Sequence, residues 1–277
     1  MNWLAAAEHL RTSRVPGVLV TLTRVRGHAP RAGGAKMVVS ADRSWDSIGG
    51  GNLEEVAVSE ARALIERGEV TPVMHSITLS DKAPFQHGVQ CCGGEVTVLL
   101  EPLAVVPSLA IFGVGHIGLE LARILSRQDM DLHLVDSRPG QLTARRLAPL
   151  DDAIARVHVH NNVPILPELV LGELAVGSHV LIMTHDHAED AALCDAALRT
   201  RGLASIGLIG SSAKWARFRR NLAAEGHDQD AISRIVTPIG TPDIRGKDPA
   251  SIAVSVAAAM LARFERDAAE AAALISE

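Results

Sequence analysis

The chain has 277 residues, enough at roughly 100–200 residues per domain to fill one large or two medium domains, and two are expected. Aromatic residues are only 3% of the chain, Tyr is absent and the net charge is -5. That excludes stacking platforms for single-stranded nucleic acid, and leaves the one basic run, Lys214-Trp215-Ala216-Arg217-Phe218-Arg219-Arg220, as a solvated helix face.

Three cysteines make no disulfide framework, and the vicinal pair Cys91 and Cys92 could bridge only through a strained ring. The N-terminus lacks a basic stretch followed by an apolar one, and no apolar run approaches ~18 residues. These features lead to the expectation of a cytoplasmic protein in a reducing compartment, with no membrane partner.

In chain order, residues 2–11 carry Leu4, Ala7 and Leu10 at helical spacing behind Asn2, a good N-cap. Residues 18–25 are aliphatic and β-branched and predict a strand, and residues 36–39 a second. Between them, residues 26–34 are too rich in Gly and Pro for regular structure. Arg26 and Arg31 there can meet an anion, or the segment is simply a solvated loop. Gly49-Gly50-Gly51 leads through Asn52 into an amphipathic helix over residues 53–66. Three glycines exceed what a tight turn needs, and at a helix N-terminus they let backbone N–H groups approach an anion. Residues 72–79 and 95–101 complete a small sheet. Directly before the last strand stand Gln90-Cys91-Cys92-Gly93-Gly94, a thiol pair between glycines that points to soft-ligand or sulfur chemistry rather than to packing.

Near residue 105 the pattern changes to alternating strand and helix. Apolar runs at 109–112, 132–135, 157–159, 180–183 and 206–209 predict a doubly wound parallel sheet. The first ends in Gly113-Val114-Gly115-His116-Ile117-Gly118 and opens a helix. Asp136, about 20 residues on, is placed to bond a ribose hydroxyl and Arg138 to meet a 2′-phosphate. The candidate nucleotide residues are Gly113, Gly115, His116, Gly118, Asp136 and Arg138, joined by Gly210 and Ser211, although Ser211 also suits a helix cap. Thr184-His185-Asp186-His187 ends the fourth strand. His185 and His187, with the carboxylates of Asp186, Glu189 and Asp190, can hold a divalent metal, with His116 as a further ligand, or shuttle protons as acid and base, or Asp186 or His187 can simply cap the next helix. Cys194 reads as a core residue. Pro238-Ile239-Gly240 opens a Pro-Gly loop before an alanine-rich helix over residues 250–273, where Ala257, Ala258 and Ala262 form a small-residue face. A symmetric homodimer is the base-rate expectation.

Taken in order, the segment from Arg24 to Gly34, Ile48-Gly49-Gly50-Gly51-Asn52-Leu53-Glu54, Gln90-Cys91-Cys92-Gly93-Gly94, the Gly113 to Gly118 loop, Thr184-His185-Asp186-His187, Gly207-Leu208-Ile209-Gly210-Ser211 and Pro238-Ile239-Gly240 resemble the xanthine dehydrogenase accessory protein family, XdhC/CoxI. The resemblance runs nearly end to end. It departs at His28, where the family often carries Ser, and at Thr241-Pro242-Asp243-Ile244.

The resemblance implies a smaller N-terminal α+β domain over residues 1–104 and a Rossmann-like domain over residues 105–277. It further implies a chaperone that binds the molybdenum cofactor, protects it while a cysteine desulfurase installs a terminal sulfur, and passes it to apo xanthine dehydrogenase. Cys91, Cys92, Gly49, Gly50, Gly51, Asn52, Arg26 and Arg31 are then the cofactor residues. Two other readings stay open: an NAD(P)-dependent oxidoreductase using the Rossmann half, and a nucleotide-sensing regulatory module.

Overall fold

The computed structural model describes residues 1–27, 29–79, 94–160 and 168–273. The chain forms two compact units, Met1–Val105 together with Arg266–Glu277, and Val106–Glu265.

In the first unit, α1 (Trp3–Ser13) precedes β1 (Gly17–Arg26), β2 (Lys36–Val39) and β3 (Ser44–Asp46). Then come α2 (Gly51–Glu66), β4 (Val73–Leu79) and β5 (Gly94–Leu103). The strands make one antiparallel sheet in the order β3-β2-β1-β5-β4. Side chains alternate across it as the pleat requires. Val18, Val20 and Leu22 of β1, with Val96, Val98 and Leu100 of β5, meet Leu53, Ala57, Ala61 and Leu64 of α2, spaced at helical intervals. Leu19 and Val38 lie on the other face against Ala6 and Leu10 of α1. Asn2 caps α1 by accepting from the Ala5 N–H.

The sequence reading ends the first strand at Val25, whereas β1 continues to Arg26. A register shift between Leu22 and Arg24 turns Val25 into the core beside Val96, and Arg26 pairs with Glu95. Arg26 is thus a strand residue rather than part of a loop.

The second unit holds β6 (Ser108–Phe112), α3 (His116–Leu125), β7 (Asp131–Val135), α4 (Ala144–Leu147), β8 (Arg156–His160), α5 (Glu168–Glu173), β9 (His179–Ile182), α6 (His187–Arg199), β10 (Ser205–Leu208), α7 (Ser212–Ala224), α8 (Gln229–Ser233), β11 (Ile235–Val236) and, as far as Glu265, α9 (Pro249–Ala273). All six strands are parallel, in the order β11-β10-β9-β6-β7-β8. Counted from β6, this is the 3-2-1-4-5-6 order of the doubly wound dinucleotide fold, whose order reverses between β6 and β9. Every residue of β6 is buried, as a central parallel strand covered on both faces must be. One face packs against α3 and α9 through Leu121, Leu125, Val256 and Met260. The other packs against α6 and α7 through Leu193, Ala197, Phe218 and Leu222. Among the described residues no helix is long and apolar enough to cross a membrane.

Candidate functional site

In the first unit the turn entering α2 is built from Gly49, Gly50 and Gly51, with φ of 135°, 74° and 59°, a left-handed run that side-chain-bearing residues avoid. A Cβ on Gly49 would stand 2.6 Å from Pro30 Cγ and 3.6 Å from Arg31 Cγ, so the loop carrying Arg31 rests directly on this turn. Gly50 and Gly51 face open space. Ser47 donates to Glu54 at 2.6 Å and the Gly50 N–H donates to the same carboxylate at 3.1 Å, so Glu54 reaches back and ties the glycine turn to its own helix. The N–H groups of Gly51, Asn52 and Leu53 have no partner among the described residues. The helix therefore begins at Gly51, two residues earlier than the sequence pattern predicts, which puts Asn52 in its first turn.

Arg26 does not join this site. It lies on the sheet face opposite α2, since its neighbour Val25 faces the α2 core, and it makes an exposed ion pair with Glu95 at 3.6 Å. Cys91 and Cys92 lie outside the described residues, as does His28; Gly94, two positions after Cys92, opens β5.

In the second unit the glycine loop lies where its motif requires, between β6 and α3. A Cβ on Gly113 would run into the Met183 carbonyl, and one on Gly118 into the Gly113 carbonyl, so both glycines permit backbone-to-backbone contact. Gly115 is the N-cap of α3 and has no capping side chain, and His116 is exposed. The loop is held from both sides at Val114: its N–H donates to Asp136 at 2.7 Å and its carbonyl accepts from Arg146 at 3.2 Å.

Asp136 accepts three further bonds, all from Arg138: the backbone N–H at 3.0 Å, Nε at 2.9 Å and Nη2 at 2.8 Å. Burial would raise the Asp136 pKa, but the Arg138 and Val114 donors and the guanidinium charge outweigh it and hold the carboxyl below the ordinary carboxylate value. Its acceptor capacity is thereby filled. The Arg138 Nη2 stands 3.5 Å from where a Cβ on Gly115 would be, so the guanidinium lies against the glycine loop.

His185 and His187 are both exposed. Asp186, between them, caps α6 by accepting from Ala188 and Glu189, and His187 lies 3.2 Å from Arg217. Among the described residues no three His, Cys, Asp or Glu side chains converge as a metal site. Ser211 caps α7 through the Lys214 N–H.

Sequence reasoning placed Glu189 and Asp190 among the carboxylates of this sheet edge but did not pair Asp190 with Lys214. Lys214 reaches the fully buried Asp190 at 2.5 Å and the Ile209 carbonyl at 2.9 Å, while Thr184 donates to Asp190 through both N–H and hydroxyl. Glu189 accepts from Ser137 at 2.9 Å, and its pKa is pushed up mainly by burial. Gly210 hints at the ion pair, because a Cβ there would press on Lys214 Cδ at 2.9 Å.

Residues 109–260 match the XdhC Rossmann domain, and residues 10–76 match the XdhC and CoxI family. The chain belongs to the XdhC and CoxI family. The XdhC Rossmann domain thus contains the glycine loop, the Asp136–Arg138 fork and the Asp190–Lys214 pair. Uncharacterized protein YqeB of Escherichia coli strain K12 is 27% identical over 263 residues, 94% of this chain and 46% of that protein. The chain therefore spans about half the length of the curated relative it matches, 46%. A crystal structure described as a xanthine dehydrogenase from Bacillus halodurans is similar at a TM-score of 0.47 and 20% identity, over 96% of each chain.

Proposed function

We propose that this XdhC and CoxI family member is an accessory protein that binds the molybdenum cofactor, supports its sulfuration and inserts it into apo xanthine dehydrogenase. Membership of the family supports the accessory role. The observation that carries the binding site is the glycine turn at the head of α2, where three unpartnered N–H groups and the Arg31 loop share one place.

The residues present fit the anionic end of such a group. A phosphate is favoured at a helix N-terminus by the aligned N–H groups and the helix dipole, and α2 runs for 16 residues. Open space at Gly50 and Gly51 admits the ligand, and Arg31 supplies positive charge. Glu54 keeps the turn preformed through Gly50 and Ser47. When bound, the cofactor supplies a molybdenum centre with its dithiolene sulfurs. Cys91 and Cys92 are the soft side chains assigned to that end from the sequence. On this reading the chain binds, shields and transfers, and turns over no small substrate. A cysteine desulfurase is the sulfur donor, the compartment is the cytoplasm and the working form is a homodimer.

The test is anaerobic purification from cells that make molybdenum cofactor, followed by elemental molybdenum analysis and fluorescence of the oxidised pterin. Near-stoichiometric pterin, lost in Gly51→Val, is the expected outcome. A pterin-free preparation carrying tightly bound NAD(P) would replace this reading with the oxidoreductase.

A further inference from the structure

The carboxyl edge of the parallel sheet holds a second feature, separate in sequence from the glycine loop. Beyond β10 and β11 lies a cavity of about 790 Å³, within the roughly 300–1,000 Å³ that small-molecule sites occupy. Its apolar wall is Ile209, Ile239, Ile244 and Ile252, and its polar lining includes Ser211, Arg245 and Lys247. Among the described residues no acidic side chain lines it. Neither Arg245 nor Lys247 has an ion-pair partner among the described residues.

The loop that closes the cavity is preformed. Ser255 of α9 accepts from the Thr241 N–H at 2.9 Å and donates to the Thr241 carbonyl at 3.1 Å. Gly240, with φ of 96°, presses against the same hydroxyl, where a Cβ would stand 2.5 Å away. Two unpaired cations over an aliphatic pocket suit a compact ligand with about two negative charges and an apolar-faced ring, the charge a phosphate monoester carries near neutral pH.

At the glycine loop the opposite holds. The acid that would accept a ribose hydroxyl is saturated, and the Arg138 guanidinium lies where a pyrophosphate would approach Gly115. We infer that the parallel-sheet unit takes a nucleoside monophosphate in the Ile209–Arg245 cavity, rather than a dinucleotide laid across the glycine loop. The inference does not rest on the cofactor-carrier reading.

Isothermal titration and thermal shift of the full chain test it, with AMP, adenosine, inorganic phosphate and NAD⁺ as probes. AMP binding is expected to exceed that of adenosine and of phosphate. It should raise Tm with the logarithm of its concentration once that exceeds Kd. Affinity should fall at least about tenfold in Arg245→Ala/Lys247→Ala, which removes exposed and unpaired groups, and in Ile244→Asp, while Gly115→Val leaves it unchanged. The proposal is overturned if AMP does not bind, if its affinity is indifferent to both pocket variants, or if Gly115→Val abolishes AMP or NAD⁺ binding that the pocket variants retain. Pterin content is read separately, so either result leaves the molybdenum experiment intact.

Discussion

Lys214 and Asp190 illustrate how a residue's role depends on where its partner sits. Asp190 is fully buried and Lys214 is 10% exposed at its side chain, so each neutralises a charge that water does not reach. Replacing Lys214 by Met leaves a buried carboxylate with only Thr184 as donor, and is expected to cost about 3–5 kcal/mol in urea unfolding. A loss below about 1 kcal/mol would mean that water replaces the ammonium. The neighbouring Cys194 is consistent with this dry setting: burial, aided by the Asp190 charge, pushes its thiol up to about 12, and it behaves as core. From sequence, Lys214 belongs to a basic run and Asp190 to an acidic loop. Nothing in their spacing pairs them, because the contact exists only once β9 and β10 align in parallel.

At the scale of elements, β7 and the edge strand β8 bring three histidines together. His133 and His158 are register partners with rings stacked at 4.4 Å, and His133 Nδ1 lies 3.1 Å from His160 Nε2. Asp131 faces His158 at 3.1 Å and Glu173 faces His160 at 4.0 Å. Burial lowers the His160 pKa below 6.5; Glu173 opposes this and the His158 charge adds to it. The unfolded chain therefore binds more protons than the folded one in the window just below 6.5. Stability from this group is complete above that pH and falls as the pH drops through it. Urea midpoints are expected to decline between about pH 7.5 and 5.5, and His160→Gln to flatten the decline; an unchanged slope in that variant would remove His160 as its source.

Elements were legible where period and propensity agree, as in β6, α3 and α2. The pattern was silent on β3, three residues long with Asp46 at φ 63°, and misleading at Arg26, where pairing with β5 extends the strand past the last apolar residue.

Across the whole molecule, the decisive functional test falls on residues whose importance rests on the sequence. On the proposed accessory role, Cys91→Ser and Cys92→Ser are expected to leave the unfolding transition unchanged while lowering activation of apo xanthine dehydrogenase, each by at least about tenfold if its thiolate is the soft ligand. Full activation by the double variant would dismiss the thiols.

The sequence by itself determined the two-part α/β architecture, the strand–glycine loop–helix at Gly113 to Gly118, the glycine turn before α2 and the family. Each of these is written in local terms: hydrophobic period, glycine where φ must be positive, and motif order. Only the tertiary structure decided that Arg26 turns away from the α2 turn, that Arg138 and Val114 consume Asp136, that Asp186 is spent on a helix cap, and that Arg245 and Lys247 face an isoleucine cavity. The physical reason is common to all four. A hydrogen bond or ion pair is settled by side chains brought within about 3 Å, and residues far apart in sequence reach that distance only through strand register and helix packing.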